Sequence, residues 1–423
     1  MSLQLIEPVT RIRKSVFLIY LFLLLQPGRT YLLGQVFPDD QAIDPSRLEV
    51  SLLTVGPGNA IWERFGHNAL IFQDTITGRT IAYNWGIFDF RQDDFLMRLA
   101  RGRMQYSMRG FPTLRLIESY RSQNRTVWSQ RINLTTDQKL ELLSLVTEMD
   151  TESNRYYRYD YYRDNCSSRI RDALDKVLKG GISSVTQEQK TEHSYRSHTA
   201  RILHSSMSAY LGIQFVVGNY GDNPLSVWEE MFLPLSMKDY LQTVLNPSMK
   251  RGGSPLLEAP QILFESSRKA QVESGNGFFI EFLLLGLFLG GVFLLCGWGK
   301  ARGYLPARYC LGILGGLWSI LAGALGTLLL LSWFLTDHFF WTLNENIFQA
   351  NPTSLVLGIA LLASLRQNES KSLIRVARAV CAIAFLGLIV KILPGIDQVN
   401  GEIIALTFPV NLGLYLGIKW SWR

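Results

Sequence analysis

The sequence predicts a two-part protein, in which an exported α+β domain is followed by an all-α membrane domain of five helices. Its 423 residues suffice for both parts. Residues 35–275 are mixed and polar, whereas the remainder is dominated by Leu, Gly, Ile, Phe and Ala. We therefore expect a signal peptide or signal anchor over 1–34, a soluble domain over 35–275 and a membrane domain over 276–423.

The first region has the pattern of an export signal. Arg11, Arg13 and Lys14 precede an apolar run over 16–25, which is typical of the basic and apolar parts of such a signal. The run is short for a full membrane span. Because no clean small-x-small cleavage site follows, both cleavage and retention as an anchor remain open.

Five apolar segments in the last region predict five membrane-spanning helices. Each approaches the roughly 20 residues that cross a bilayer. The third is the weakest, because its uninterrupted apolar part begins only after Pro352. The segments are 278–297, 309–335, 348–365, 373–393 and 403–420.

The positive charges indicate how these helices are oriented. The formal net charge is +7, and much of the excess lies beside apolar segments, which favours membrane orientation over nucleic-acid binding. The loops 336–347 and 394–402 contain no Lys or Arg. We therefore expect both loops to face the same compartment as the soluble domain, with the basic clusters on the cytoplasmic side.

The soluble domain begins with strand patterns. Residues 48–55 alternate enough for a strand, and 67–73 and 80–85 flank a turn around Thr77 and Gly78. If Thr75 lies opposite Gly78, then His67 and Asn84 fall on the same face of this hairpin.

Helix signals dominate the rest of the soluble domain. Thr136 is expected to cap an amphipathic helix that ends near Met149, and Asp164 or Asn165 to cap another that ends near Leu178. Residues 194–245 are expected to be helical with loops, and 246–275 to be a linker. Further predicted elements are short helices over 96–101 and 114–121 and a strand over 126–134.

Cys166 is the candidate nucleophile. It is the only cysteine between residues 35 and 275, whereas the other three lie in apolar runs. The positive end of a helix dipole lowers a thiol pKa, and free N–H groups there can stabilise an oxyanion. Cys166 as nucleophile, His67 as base and Asn84 as orienting group would form a catalytic triad.

The sequence does not favour a metal site or another cofactor. Zinc sites usually combine several Cys and His side chains at short spacings, and the soluble region has no second cysteine and no CxxC or HxxxH spacing. His193, His198 and His204 lie in a polar helical region, where we expect a solvated surface.

Several short motifs together resemble the Lnb-type family of bacterial inner-membrane lipoprotein N-acyltransferases. The similarity covers nearly the whole chain after the export segment. The motifs occupy 66–69, 83–86, 102–106, 124–125, 164–169, 221–224, 231–234, 337–338, 344–346 and 351–352.

The resemblance implies a papain-like thiol-enzyme fold of the permuted NlpC/P60 type, in which the histidine precedes the cysteine. It also implies that His67 and Cys166 are the catalytic pair, with Asn84 as the third member. The outer loop 336–346 is either an ordinary aromatic belt at the membrane interface or a roof over the active site. The residues expected to contact substrate are Tyr83, Trp85, Asn165, Arg169, His338 and Asn346.

The function implied is acyl transfer in the bacterial inner membrane, with the catalytic domain in the periplasm. Membrane phospholipid would be the acyl donor, and the α-amino group of a diacylated lipoprotein would be the acceptor. The alternative is a membrane-tethered thiol peptidase or amidase that acts on cell-wall peptides. A receptor with a degenerate fold is a third possibility, against which the intact Cys166 and His67 argue.

Overall fold

The structure is a computed structural model that describes residues 45–88, 94–249, 253–269, 277–366 and 371–422. The expected export segment lies outside these residues. Within them, an α/β domain is followed by a helical region with five helices long and apolar enough to cross a membrane.

The soluble domain is built on a seven-stranded antiparallel sheet in the order β6-β4-β3-β2-β1-β5-β9. Two further strands, β7 and β8, pair with each other. The strands are β1 Leu48–Val55, β2 His67–Asp74, β3 Thr80–Ile87, β4 Gln105–Pro112, β5 Val127–Arg131, β6 Tyr156–Arg158, β7 Leu245–Asn246, β8 Ser254–Pro255 and β9 Gln261–Phe264.

The predicted hairpin and its register are confirmed. Strands β2 and β3 pair with Ala69 opposite Asn84. Side chains two residues apart on a strand share a face, so His67 and Asn84 lie on the same side of the sheet, as expected.

Helices cover both faces of this sheet. Helix α2 packs on β3, β4 and β5, while α3 packs on β1 and α4 on β2 and β3. The helices of the soluble domain are α1 Phe95–Ala100, α2 Thr113–Ser122, α3 Thr136–Met149, α4 Cys166–Val177, α5 Ser183–Thr186, α6 Tyr195–Leu203, α7 Met207–Val216, α8 Val227–Glu230 and α9 Pro234–Tyr240.

Three details differ from the sequence prediction. The side chain that caps α3 is Thr135, which accepts from the backbone of Gln138, so the expected cap at Thr136 was one residue late. The expected linker contains β9, which pairs with β5 at the sheet edge. Strands β4 and β6 were not anticipated, because their polar and tyrosine-rich segments have no clear alternation of apolar residues.

The five predicted membrane helices are present in the described residues. The third is short because α12 begins only after Pro352, and a 3₁₀ turn at Glu345–Phe348 precedes it. The helices are α10 Phe279–Ala301, α11 Leu305–Leu335, α12 Thr353–Ala363, α13 Lys371–Ile389 and α14 Gly401–Trp420.

Buried amide side chains of the membrane domain hold the end of α7. Asn344 Nδ2 donates to the carbonyls of Phe215 and Val216, each at 2.9 Å, and Asn346 Nδ2 donates to Phe215 O at 2.8 Å. Gln398 Nε2 donates to Val217 O at 3.1 Å. The last carbonyls of a helix need such external donors. We call this set the polar joint; its amide side chains are Asn344, Asn346 and Gln398.

The polar joint places the outer loops against the soluble domain. Asp337 also forms ion pairs with Arg103 at 2.8 Å and Arg158 at 3.1 Å. The loop 336–347 therefore lies on the same side of the helices as the soluble domain, as the charge distribution predicted.

Candidate active site

Cys166 is the first residue of α4, and Asn165 builds the turn that presents it. Asn165 Oδ1 accepts from the backbone N–H groups of Ser167 and Ser168 at 2.9 and 3.0 Å. Its Nδ2 donates to Phe232 O at 2.9 Å. This cap uses two of the first-turn donors. Among the described residues, the N–H of Cys166 forms no hydrogen bond to another backbone group.

His67 begins β2 immediately after a backbone turn that needs glycine. Gly66 has φ +85°, and a Cβ on it would lie 2.8 Å from Val55 O. His67 Nε2 is hydrogen bonded to Asn84 Oδ1. The other ring nitrogen is therefore left to face Cys166. The ring of Tyr120 lies beside the imidazole, with 6.0 Å between the ring centroids.

Cys166 and His67 stabilise each other as a thiolate and an imidazolium. Burial alone would raise the pKa of the Cys166 thiol, but the charge and hydrogen bond of His67 outweigh it, so that the pKa is lowered. Hydrogen bonds from the Asn68 backbone and the Ser167 side chain act in the same direction. Burial opposes the charged form of His67, yet Cys166 and Asn84 raise the His67 pKa. The thiolate form of Cys166 is therefore more favourable than that of an isolated buried thiol.

Gly86 lies next to the thiol, in an irregular part of the sheet. The register of β3 with β4 shifts between Asn84 and Ile87, as a β-bulge does. Gly86 has φ +83°, and a Cβ built on it would lie 3.8 Å from Cys166 Cβ. A side chain at position 86 would be strained and would lie against the nucleophile.

A cleft of about 140 Å³ opens at Cys166 and His67, and its walls are largely aromatic. Tyr106 stacks on Tyr159 with ring centroids 4.0 Å apart, and Phe65 meets the edge of Tyr161 at 4.8 Å. We call this site the thiol cleft. Its lining is Trp62, Phe65, Gly66, His67, Gly86, Phe88, Tyr106, Tyr159, Tyr161, Asn165, Cys166, Phe232 and Pro234.

Tyr161 lines this cleft, and the sequence did not single it out. Its hydroxyl is buried and has no hydrogen-bond partner among the described residues. Burial and the neighbouring tyrosines raise the Tyr161 pKa well above its ordinary value, so the phenol stays protonated and can donate. The tyrosine-rich segment 156–162 was visible in the sequence, but nothing in it distinguishes Tyr161 from its neighbours.

Tyr83 and Trp85 lie away from the thiol cleft. Side chains alternate along a strand, and Asn84 faces His67, so its two neighbours point to the opposite face. Trp85 is 1% exposed and Tyr83 4%. Both pack in the core of the sheet, where they are not positioned to contact substrate.

Arg169, His338 and Asn346 also lie outside the cleft lining. Arg169 pairs with Asp164, with Nη2 2.6 Å from Oδ2, and its guanidinium covers the ring of Tyr157. His338 Nε2 donates to Leu99 O at 2.9 Å, and Asn346, which is 0% exposed, belongs to the polar joint. Of the residues expected to contact substrate, the structure brings only Asn165 to the cleft.

The outer loop supports one wall of the cleft from behind. Phe340 packs on Tyr162 and Tyr195, with ring centroids 4.8 and 5.1 Å apart, and both tyrosines pack on Phe232, which lines the cleft. Trp341 stacks on His338 at 4.0 Å. The loop does not line the thiol cleft and therefore forms no roof over it.

The expectation of a solvated histidine surface is wrong for His198. This residue is 3% exposed, and its Nε2 is 2.6 Å from Glu230 Oε1. His204 stacks on Phe278. Within the described ranges, no three His, Cys, Asp or Glu side chains form a group that could hold a metal ion.

Comparison with known proteins identifies the soluble domain. Residues 38–205 match the family model described as the Lnb N-terminal periplasmic domain. This match covers β1 to α6 and includes His67, Asn84 and Cys166. Neither the curated proteins nor the solved structures gave a match. The soluble domain therefore matches the Lnb N-terminal periplasmic domain over residues 38–205, and five apolar helices of membrane-spanning length follow it.

Proposed function

We propose that this protein is a lipoprotein N-acyltransferase. It would move an acyl chain from membrane phospholipid, through a thioester on Cys166, to the α-amino group of a diacylglyceryl-modified N-terminal cysteine. The observation that carries the proposal is the coupled Cys166–His67 pair, hydrogen bonded to Asn84, in an aromatic cleft of a domain joined to membrane helices. The Lnb-type family of the domain supports the same reaction.

The order of elements supports a papain-like fold of the permuted NlpC/P60 type. In such a fold the nucleophile begins a helix, and the base lies on a strand of an antiparallel sheet. Here the helix α4 follows the strand β2 in the chain, so the histidine comes first. The permutation changes the order of the two residues but keeps the geometry that the chemistry requires.

The first half-reaction forms the acyl-enzyme. The Cys166 thiolate attacks the carbonyl carbon of a phospholipid ester, and the tetrahedral oxyanion receives a hydrogen bond from the Cys166 N–H. When the ester C–O bond breaks, the imidazolium of His67 gives its proton to the departing oxygen. The products are a thioester on Cys166 and a neutral hydroxyl on the lysophospholipid.

The second half-reaction transfers the acyl group to the lipoprotein. The α-amino group attacks the thioester carbonyl, and neutral His67 takes the proton that the nitrogen releases. The C–S bond breaks, an amide forms and the thiolate returns. Asn84 holds the imidazole in one orientation through both half-reactions, because it accepts a hydrogen bond from Nε2.

The attachment of the domain supports substrates that are anchored in a bilayer. Asn344, Asn346 and Gln398 fix α7 to the outer ends of the membrane helices. A peptidase that acts on cell-wall peptides would need only a tether, whereas two lipid substrates require a cleft held near the membrane surface. We therefore place the protein in the bacterial inner membrane, with the catalytic domain in the periplasm.

The experiment is to trap the acyl-enzyme. Full-length protein in phospholipid, without acceptor, should carry a fatty acyl mass on the peptide that contains Cys166, and neutral hydroxylamine should remove it. Cys166→Ala should lose this species and reduce transfer by roughly 10⁴-fold or more. The matched control is Cys381→Ala, at a buried cysteine of α13, which should still form the acyl-enzyme.

A defined synthetic diacylated lipopeptide then tests the second half-reaction. Its addition should discharge the thioester and give an N-acylated lipopeptide. If Cys166 stayed unmodified in phospholipid while the full-length protein cleaved cell-wall peptides, the acyltransferase proposal would fail and the thiol peptidase would replace it.

A further inference from the structure

A second cavity lies where the soluble domain meets the membrane helices. It has a volume of about 520 Å³, between α6, α7 and the outer ends of α10 and α14. None of its lining residues belongs to the thiol cleft. The volume is within the range of small-ligand sites, so this cavity is a candidate for a ligand of its own.

The cavity lies at the ends of two helices that are long and apolar enough to cross a membrane. Phe279 is the first residue of α10 and Glu402 the second of α14, and both line the cavity. Just before α10, the ring of Phe278 stacks on His204 at 4.5 Å and meets the edge of Tyr210 at 5.0 Å. Aromatic side chains at helix ends are typical of the membrane–water interface.

Two buried oxygens at this cavity have no partner among the described residues. Asn400 is 3% exposed; its Nδ2 donates to Asn346 Oδ1, but its own Oδ1 accepts nothing. Glu402 Oε1 accepts from Tyr210 Oη at 2.8 Å and from Phe278 N at 2.5 Å, whereas Oε2 is unpaired. An unsatisfied buried polar group costs stability. A ligand that donates hydrogen bonds would remove this cost.

The same cavity contains a cationic side chain. Arg201 lines it and donates one hydrogen bond to His198 Nδ1 at 3.2 Å. The neighbouring Arg196 is already neutralised, because its Nε is 2.6 Å from Asp222 Oδ1 and both side chains are buried. The cavity therefore combines unpaired acceptors with a cation that can meet an anion.

We propose that this cavity binds the headgroup of a phospholipid that carries a primary ammonium group. The ammonium would donate to Asn400 Oδ1 and Glu402 Oε2, and the phosphodiester would lie near Arg201. A quaternary ammonium has no N–H to donate, and a glycerol headgroup has no positive charge. This binding requires no reaction at Cys166, so the inference does not depend on the proposed acyl transfer.

The test is lipid retention by the full-length protein, measured by native mass spectrometry. Protein in detergent is offered equal amounts of phosphatidylethanolamine, phosphatidylcholine and phosphatidylglycerol with identical acyl chains. We expect wild type to retain phosphatidylethanolamine at least about tenfold over each of the others, since two hydrogen bonds to a charged group are worth more than 1.4 kcal/mol.

Glu402→Gln is the decisive variant. The glutamine oxygen can still accept from Tyr210 and Phe278, but the cavity now receives an N–H₂ group and no negative charge. The preference for phosphatidylethanolamine should disappear while thermal unfolding changes little. The matched control is Glu281→Gln, an exposed glutamate in the first turn of α10, which should keep the wild-type preference. Arg201→Gln should weaken retention of phosphatidylethanolamine without increasing that of phosphatidylcholine.

Two results would overturn the inference. One is equal retention of the three lipids by wild type, and the other is an unchanged preference in folded Glu402→Gln. A further arm offers soluble glycerophosphoethanolamine, which has the headgroup without acyl chains. If it bound as tightly as the lipid, the membrane source of the ligand would be wrong. The acyl mass on Cys166 is read separately, so failure here and failure of the acyltransferase proposal are distinguishable.

Discussion

Buried polar side chains concentrate in two regions of this molecule, the thiol cleft around Cys166 and the polar joint around Asn346. In the joint, amides from two outer loops bind the carbonyls at the end of α7, and Asn346 uses both its Nδ2 and its Oδ1. In the cleft, the Tyr161 hydroxyl has no partner among the described residues. Cys166 and His67 each stabilise the charged form of the other.

The difference separates two roles among the residues of the sequence motifs. A network with satisfied hydrogen bonds stabilises one arrangement of two domains. A group with perturbed pKa values and an unpaired donor in a cleft is suited to chemistry. Asn346 belongs to the first kind, and Cys166, His67 and Tyr161 to the second. Four substitutions test this division, ordered from the largest expected loss of activity to the smallest.

His67→Gln should have the largest effect of the four. Loss of the general base should reduce acyl transfer roughly 10²–10⁴-fold. In wild type the pKa of Cys166 is lowered, because the effect of burial is outweighed chiefly by the charge and hydrogen bond of His67, and the thiolate is lost as pH falls through that pKa. Without His67 the pKa should rise, so the alkylation rate of Cys166 by iodoacetamide should shift to higher pH.

The control for this substitution is His338→Gln, at a histidine that does not line the cleft. Its alkylation profile should match that of wild type. If the profile of His67→Gln were unchanged, a group other than His67 would stabilise the Cys166 thiolate. His67 would then lose its proposed role as the base.

Asn84→Ala should have an intermediate effect. It removes the acceptor that holds His67 Nε2, and a hydrogen bond to a charged group contributes about 1.5–3 kcal/mol. The rate should therefore fall roughly 10–150-fold. Asn84→Asp keeps an acceptor and should retain more activity than the alanine variant. If wild type and Asn84→Ala had equal rates, Asn84 would have no role in positioning His67 for the reaction.

Tyr161→Phe should have a smaller effect, because it removes one neutral donor and keeps the ring. A hydrogen bond of about 1 kcal/mol corresponds to roughly a fivefold decrease in kcat/KM. Tyr157→Phe is the control, since the Tyr157 hydroxyl is also buried without a partner among the described residues, but Tyr157 does not line the cleft. If both variants lost activity equally, the Tyr161 hydroxyl would have no specific contact with substrate.

Asn346→Ala should change activity least and stability most. It leaves the carbonyls of Gln214 and Phe215 without the Asn346 amide, at a cost of roughly 1–3 kcal/mol. The thermal unfolding temperature should fall, while alkylation of Cys166 at lower temperature stays within about twofold of wild type, because no joint residue lines the cleft. If alkylation of Cys166 were slow and stability were unchanged, Asn346 would have to act directly on the reactivity of Cys166.

Local patterns made much of the candidate site predictable. Strand alternation and one turn fixed the pairing of Ala69 with Asn84, and hence the shared face of His67 and Asn84. An Asn before Cys166 indicated a helix start, and the structure has this cap. The uncharged loops indicated the side of the helices on which the soluble domain lies. Each of these inferences uses neighbours within one strand, one helix or one loop.

The same local reasoning failed where neighbours in sequence separate in space. Tyr83 and Trp85 share a motif with Asn84, but the period of two in a strand sends them into the core. His338 and Asn346 lie on the same side of the apolar helices as Cys166, but residues on one side need not contact the same cleft.

The sequence by itself determined the division into a polar domain and five apolar helices and the place of Cys166 at a helix start, and it offered the hairpin register as a conditional prediction. These follow from hydrophobic period, charge and capping, which act over a few residues. Only the tertiary structure decided that Tyr161 lines the thiol cleft, that β9 completes the sheet and that Glu402 and Asn400 leave unpaired oxygens in one cavity. Those features join residues far apart in the chain, and no local preference encodes which distant groups will meet.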